Sequence, residues 1–248
     1  MAALKQRLAA GERLLGALVR MPSEELVEML GVAGFDYVLI DCEHGPADLI
    51  PLRQHIAAAQ VHGMEVLVRV GQNEPALIQR VLDHGATGIV VPHVDDAAQA
   101  AAAVHAARYP PVGDRGFATY GRAGRYGTAS AADHLAADAA GTLVIAMIES
   151  EAGCRNVGEI AATPGLDGIM AGPADLAVSM GAAGPADPAV VAALQKVHTA
   201  VAGQGRIRLV IVPGAERARA AFATGSELVV INLSHVLMET FAELRAVR

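Results

Sequence analysis

The sequence predicts an α/β fold, a closed (β/α)8 barrel, on two observations. Short apolar runs rich in β-branched residues alternate with Ala-rich or capped helical segments through eight strand–helix units, which argues for parallel strands joined by helices. Those runs also tend to end in polar or ionisable residues, Asp41, Arg69, His93, Glu149 and Asn232 among them. In barrels of this kind the chemistry collects at the C-terminal strand ends. An open doubly wound sheet is the competing arrangement, but no G-x-G-x-x-G fingerprint follows any of the runs. A length of 248 residues suits a single barrel domain spanning 1–248.

Leu14 to Val19 is the first apolar segment. Ser23 suits a helix N-cap with Glu24 and Glu25 in the first turn, so a helix is expected over 24–33. The run from Phe35 to Ile40 ends in Asp41-Cys42-Glu43-His44, and Gly45-Pro46 then turns the chain. Three ionisable groups thus arrive together at one strand end. A helix is expected from Ala47 to His62, a strand over 64–70 containing Arg69, and a helix from Pro75 to His84. The fourth strand, 88–92, carries His93 at its end, and Asp95 or Asp96 caps an Ala-rich helix reaching Arg108. From 110 to 128 the alternation breaks into a Gly/Arg/aromatic loop of a length usually reserved for function. Beyond it come a helix over 131–140, strands over 143–148, 166–170, 208–212 and 228–231, and helices over 151–161, 174–180, 188–203, 215–223 and 235–247.

Composition narrows the function. Apolar residues make up 53% and charged residues 18%, enough for a large core, and the net charge of −7 with a pI of 5.7 argues against a nucleic-acid surface. The two cysteines, Cys42 and Cys154, give no disulfide framework. No signal-peptide pattern opens the chain and no apolar run approaches the ~20 residues of a bilayer span, so a soluble, cytoplasmic protein without membrane partners is expected. Lysine occurs only as Lys5 and Lys196, neither at a strand end, which disfavours Schiff-base chemistry.

The strand ends suggest a metal site. Glu149 and Asp175, from adjacent strands five and six, would repel each other in a confined mouth unless a cation lay between them. An oxygen-only set suits Mg²⁺ or Mn²⁺, with Co²⁺ or Zn²⁺ as further possibilities. Such a metal can chelate an α-keto acid and act as a Lewis acid on the enolate formed beside the carbonyl. Arg69 adds a planar cation to the same oxyanion, and His44 is the natural general base. The turn Gly172-Pro173-Ala174 offers backbone N–H groups to a carboxylate. His93 is a further candidate for the site, whereas His55, His62, His105, His134 and His198 fall on helical segments and read as surface residues.

The chain resembles the metal-dependent (class II) pyruvate aldolases of the 4-hydroxy-2-oxoheptanedioate and 2-dehydro-3-deoxyglucarate type. The segments that carry the resemblance are Ala33 to His44 with its Asp-x-Glu-His end, Val66 to Arg69, Tyr109 to Gly116, Met147 to Glu149, and Gly168 to Leu176 with its Gly-Pro-x-Asp-Leu core. The resemblance implies a barrel of the phosphoenolpyruvate/pyruvate superfamily and reversible cleavage of 4-hydroxy-2-oxo acids to pyruvate and an aldehyde. It implies His44 as base, Arg69 as enolate stabiliser, Glu149 and Asp175 as metal ligands, and the Ala174 backbone as a substrate contact. It assigns the carboxylate that supports the catalytic histidine to the position of Asp83. Asp83 lies near the end of a helix that should point away from its own barrel mouth, so either a neighbouring subunit supplies it or Asp41 takes the role. The family's homohexamers, with exchanged C-terminal helices, are expected here too. Met147 replaces a substrate-contacting glutamine, and Asn232-Leu233-Ser234 replaces a Gly-x-Asp turn; both bear on the aldehyde partner. Glu43 is left in a supporting role, and the loop over 113–127 is expected at the entrance, with Arg115 or Arg122 meeting an anionic aldehyde. The alternatives are another metal-dependent pyruvate-enolate lyase, of the citramalyl- or malyl-CoA type, and a catalytically silent, oligomeric metal-binding member.

Overall fold

The computed structural model describes residues 3–45 and 48–247. Eight strands pair in parallel in chain order and β8 closes on β1. They are β1 (Leu14–Val19), β2 (Tyr37–Asp41), β3 (Glu65–Arg69), β4 (Gly88–Val91), β5 (Leu143–Ile148), β6 (Gly168–Ala171), β7 (Ile207–Val212) and β8 (Leu228–Asn232). Helices α2 (Glu24–Val32), α3 (Leu49–Val61), α4 (Pro75–Asp83), α5 (Ala97–Ala107) and α7 (Glu151–Ala162) lie between successive strands. Ser23, Asp48, Glu74, Asp96 and Ser150 cap all five with side-chain acceptors. Pro46 and Ala47, the expected turn and helix start, lie outside the described residues.

The two-residue repeat of a strand sorts its side chains into two layers. Val38, Ile40, Val66, Val68, Val144, Ala146 and Ile148 pack outward against the helices. Tyr37, Leu39, Leu67, Ile145, Met147, Met170 and Val230 fill the barrel interior. Continuing the inward series by one step puts Asp41, Arg69 and Glu149 at the mouth, above the last apolar layer. Their burial is therefore a consequence of parity, not of local sequence.

One element was not anticipated. Helix α1 (Leu4–Ala9) precedes the barrel, and Leu4 and Leu8, one turn apart, join the interior cluster. The pair Leu4/Leu8 is its only sequence signal, and six residues are too few to show a period. Gly16 serves the same interior. A Cβ there would lie 2.5 Å from the ring of Tyr37, which is fully buried, so the missing side chain is the space the ring fills.

Several expectations are corrected. The loop over 110–128 joins the C-terminal end of α5 to α6 (Ala131–Gly141). Helices run antiparallel to the strands, so this loop sits at the barrel end opposite the mouth. Arg115 is buried there. It reaches Asp83 Oδ1 at 2.7 Å and Asp138 Oδ1 at 2.8 Å, and lies 4.6 Å over the Tyr109 ring. Arg122 donates to Gln60 Oε1 at 2.9 Å on the same side. Neither arginine faces its own mouth. His55 and His134 are buried rather than superficial: His55 Nε2 accepts the Ser23 N–H at 2.9 Å, and His134 Nε2 pairs with the Tyr109 hydroxyl at 2.9 Å.

The remaining connections are α8 (Pro173–Ser179) and α9 (Pro188–Gly203) after β6, and α10 (Ala215–Ala223) after β7. The last helix, α11 (Leu233–Arg245), buries none of its residues and exposes Met238, Phe241 and Leu244. No helix among the described residues is long and apolar enough to cross a membrane. Overpacking a filled interior costs about 1–3 kcal/mol, so Gly16→Ala is expected to lower the unfolding free energy by about that amount, read by urea titration.

Candidate active site

Asp41 is fully buried and surrounded by donors. Arg69 grips it side-on, Nε to Oδ1 at 2.9 Å and Nη2 to Oδ2 at 2.5 Å, the bidentate geometry a guanidinium is shaped for. Arg20 Nε adds a bond to Oδ2 at 2.7 Å, and the backbone N–H groups of Glu43 and His44 donate to Oδ1 at 3.1 and 3.2 Å. Burial alone would raise the Asp41 carboxyl pKa. The hydrogen bonds and charge of Arg69, helped by Arg20 and the His44 N–H, outweigh it and bring the value down to about 2. Asp41 thus meets the backbone of His44, while its carboxylate is committed to the two arginines.

The next layer outward is anionic. Glu43 Oε2 lies 3.0 Å from Arg69 Nη1, close enough for charge attraction but without hydrogen-bond alignment, and this buried oxygen has no hydrogen-bond partner. Glu43 Oε1 is 3.2 Å from His93 Nε2, and His93 Nδ1 is 3.2 Å from Glu149 Oε1. The His93 backbone N–H donates to the same Glu149 oxygen at 2.7 Å. His93 has a φ of +54°, uncommon for a residue with a side chain; this left-handed turn brings both its N–H and its ring to Glu149. One ligand atom from each of Glu43, His93 and Glu149 lies within 4.8 Å of the others.

This donor set fits a divalent cation. Two largely buried carboxylates face one gap, one carries an orphaned oxygen, and an imidazole lies between them. Burial raises the pKa of Glu149 and the His93 N–H opposes that shift; the negative fields of Glu43 and Asp175 push it further up. A cation would relieve that repulsion. Asp175 itself is exposed in the first turn of α8, whose N-cap, Gly172, brings no side chain. Gly172 instead makes room: a Cβ there would lie 2.9 Å from Glu149 Oε2. Pro173 and Ala174 follow at the helix start, and buried Met147 forms the floor beneath Glu149.

His44 stands at the rim, its side chain 56% exposed and its Nε2 3.8 Å from Glu43 Oε2. Asp83 is at the far end of the barrel, paired with Arg115, as the direction of α4 requires. Arg20 joins the site without having been singled out by the strand-end pattern, and Glu43 lies between Arg69 and His93. The signal for Arg20 was parity, since it continues the inward series Leu14, Gly16, Leu18. Lys5 pairs with Asp167 at 2.7 Å and Lys196 sits on α9, so neither lysine is at the mouth.

A closed barrel with a buried arginine and a cation-ready carboxylate cluster at its C-terminal mouth is a (β/α)8 enzyme equipped for small anionic substrates. Residues 16–234 match the HpcH/HpaI aldolase/citrate lyase family, and the chain belongs to that family. It is a carbon–carbon lyase, a metal-dependent aldolase in class. It is 36% identical over 228 residues to a 5-keto-4-deoxy-D-glucarate aldolase of Klebsiella pneumoniae, covering 92% of this chain and 88% of that one. A 2-dehydro-3,6-dideoxy-6-sulfogluconate aldolase of Pseudomonas putida is 42% identical over 179 residues, 72% of this chain and 69% of the relative. A crystal structure of an HpcH/HpaI aldolase/citrate lyase family protein from Burkholderia cenocepacia superposes with a TM-score of 0.91 at 34% identity, covering 99% of this chain and 98% of the other.

The Asp41 pair has a measurable signature. Its folded-state pKa lies below the unfolded value of 3.8, so its stabilisation is present above about pH 4 and is lost as pH falls towards 2. Asp41→Asn removes the bidentate carboxylate from buried Arg69 and leaves it only the unaligned Glu43 contact, at a cost of up to about 3–5 kcal/mol. Urea unfolding at pH 7 should show that loss, and the variant should lose less stability than the wild type between pH 4 and 2.

Proposed function

We propose that this enzyme reversibly cleaves 4-hydroxy-2-oxo acids to pyruvate and an aldehyde. The observation that carries the proposal is the buried Arg69 guanidinium, fixed by Asp41 and turned towards the acidic mouth beside Glu43. The names of the two curated relatives, both aldolases of deoxy keto or dehydro sugar acids, support the substrate class.

In this proposal the His44 ring, accessible at the rim, takes the proton of the 4-hydroxyl group. As the C3–C4 bond breaks, its electron pair moves towards the 2-oxo oxygen, and Arg69 stabilises the resulting oxyanion. Asp41 keeps Arg69 in orientation and charged: burial disfavours the guanidinium charge, and the Asp41 contacts more than restore it. In the synthetic direction His44 removes a methyl proton of pyruvate. Glu149 and Asp175 would hold Mg²⁺ or Mn²⁺, which supplies Lewis-acid polarisation of the 2-oxo group. The first turn of α8, at Gly172, Pro173 and Ala174, would take the substrate carboxylate, with Met147 below it.

The proposal extends to assembly. Asp83 faces away from its own mouth, so a second copy would bring it to His44, and the exposed apolar face of α11 would pack between copies in a homohexamer. A cytoplasmic site of action and a single barrel domain over 1–248 belong to the same proposal.

With Mg²⁺ or Mn²⁺, the enzyme is expected to exchange the methyl protons of pyruvate with D₂O, observed by NMR. EDTA should abolish the exchange and Arg69→Ala should reduce it by about 10²-fold or more. No exchange with any divalent metal would exclude the proposal. Sedimentation at micromolar protein should give a hexamer, and Phe241→Glu on α11 should dissociate it to smaller species; a monomeric native protein would rule the assembly out.

A further inference from the structure

The structure contains more ligand chemistry at the mouth than the Glu149/Asp175 pair uses. We infer that His93 is a third protein ligand to the divalent metal, through Nδ1, and that Glu43 orients it by accepting from Nε2–H. The inference rests on the aldolase proposal above and adds a nitrogen donor to its metal centre.

The geometry has three parts. First, His93 Nδ1 is the ring atom on the Glu149 side, 3.2 Å from Oε1, a separation suited to neighbouring ligands of one ion after a small adjustment. Second, the other ring nitrogen faces a carboxylate, Glu43 Oε1, at 3.2 Å. Metal-bound histidines characteristically give their second N–H to such a group, which fixes both tautomer and ring plane. Third, Glu43 is itself held in place. Its side chain is 9% exposed and its other oxygen lies 3.0 Å from Arg69 Nη1. The sequence Asp41–Arg69–Glu43–His93 therefore leads from the buried ion pair to the metal position.

The backbone is committed to the same arrangement. A left-handed residue with a bulky side chain stores strain, and at His93 that conformation delivers the main-chain N–H to Glu149 Oε1 at 2.7 Å and the ring to the same oxygen. The chain beyond it is anchored by the Val94 N–H bond to the Met147 carbonyl at 3.1 Å, while the His93 side chain is 65% exposed, so core packing does not hold the ring itself against Glu149. An imidazole among carboxylates also changes the selectivity expected of the site. Oxygen-only sets suit Mg²⁺ and Mn²⁺ alike, whereas one imidazole nitrogen tilts the preference away from Mg²⁺ and towards first-row transition metals such as Mn²⁺ and, more strongly, Co²⁺.

The test is pulsed electron paramagnetic resonance on the full-length protein loaded with one equivalent of Mn²⁺. Directly bound imidazole nitrogen should modulate the echo, and isotopic labelling of histidine should shift that modulation. His93→Gly, which suits the left-handed backbone, should remove the signal. It should also weaken Mn²⁺ binding by about 10–100-fold while changing Mg²⁺ binding less, both read by isothermal titration calorimetry. Glu43→Gln should retain the nitrogen signal with weaker Mn²⁺ affinity. Bound Mn²⁺ without a histidine nitrogen signal, in a protein that still exchanges pyruvate protons, would overturn the inference and leave the aldolase proposal intact. Absence of both metal binding and exchange would overturn the two together.

Discussion

The mouth of this barrel depends on one buried interaction, the side-on pair of Asp41 and Arg69. A carboxylate with no solvent contact is costly unless every lone pair is used. Here three guanidinium bonds from two arginines and two backbone N–H groups converge on it. The two N–H groups matter for architecture as much as for charge. They wrap the chain after β2 around the carboxylate, which turns the Glu43 side chain towards the site and leaves His44 at the rim. The same pair holds Arg69 in one orientation, and a guanidinium so held needs no reorganisation when negative charge develops beside it.

Around that fixed point the protein assembles charges that oppose one another. Burial raises the cost of ionising Glu149, and the negative charges of Glu43 and Asp175 add to it. Gly172 gives up a side chain so that the Glu149 carboxylate can occupy its place, and His93 accepts a left-handed backbone to reach the same carboxylate. Each is a local loss of stability concentrated where a cation and an anionic substrate would meet, the pattern expected of sites selected for function rather than for folding.

The opposite end of the barrel carries a second ordered polar assembly. Arg115 joins Asp83 to Asp138 under the Tyr109 ring, with Phe117 and His134 packed edge-on around that ring. This explains why an arginine in a Gly-rich loop, which suggested an entrance residue, is buried. The order of elements already contained the answer: a loop that leaves the C-terminal end of a barrel helix, as this one leaves α5, lies at the N-terminal barrel face. Composition drew attention to the loop, but topology decides which end it occupies.

Alternation and strand-end chemistry were enough to give the eight-strand barrel, the Ser23 cap and the Asp95/Asp96 capping position, and Arg69, Glu149 and Asp175 as residues of interest, because hydrophobic period and capping act within a few residues of sequence. Asp41 and His44 were equally visible as chemistry, yet their partners were not. Whether Asp41 serves a histidine or an arginine depends on which neighbour the register Asp41↔Arg69 brings alongside. Glu43 and His93 became a pair with Glu149 only because three separate strand ends close on one gap, an arrangement set by barrel closure and by one left-handed residue. Residue types and their order were determined by the sequence itself; which charges touch, and which remain without a partner, was decided by the tertiary structure, since parity and closure act between strands far apart in the chain.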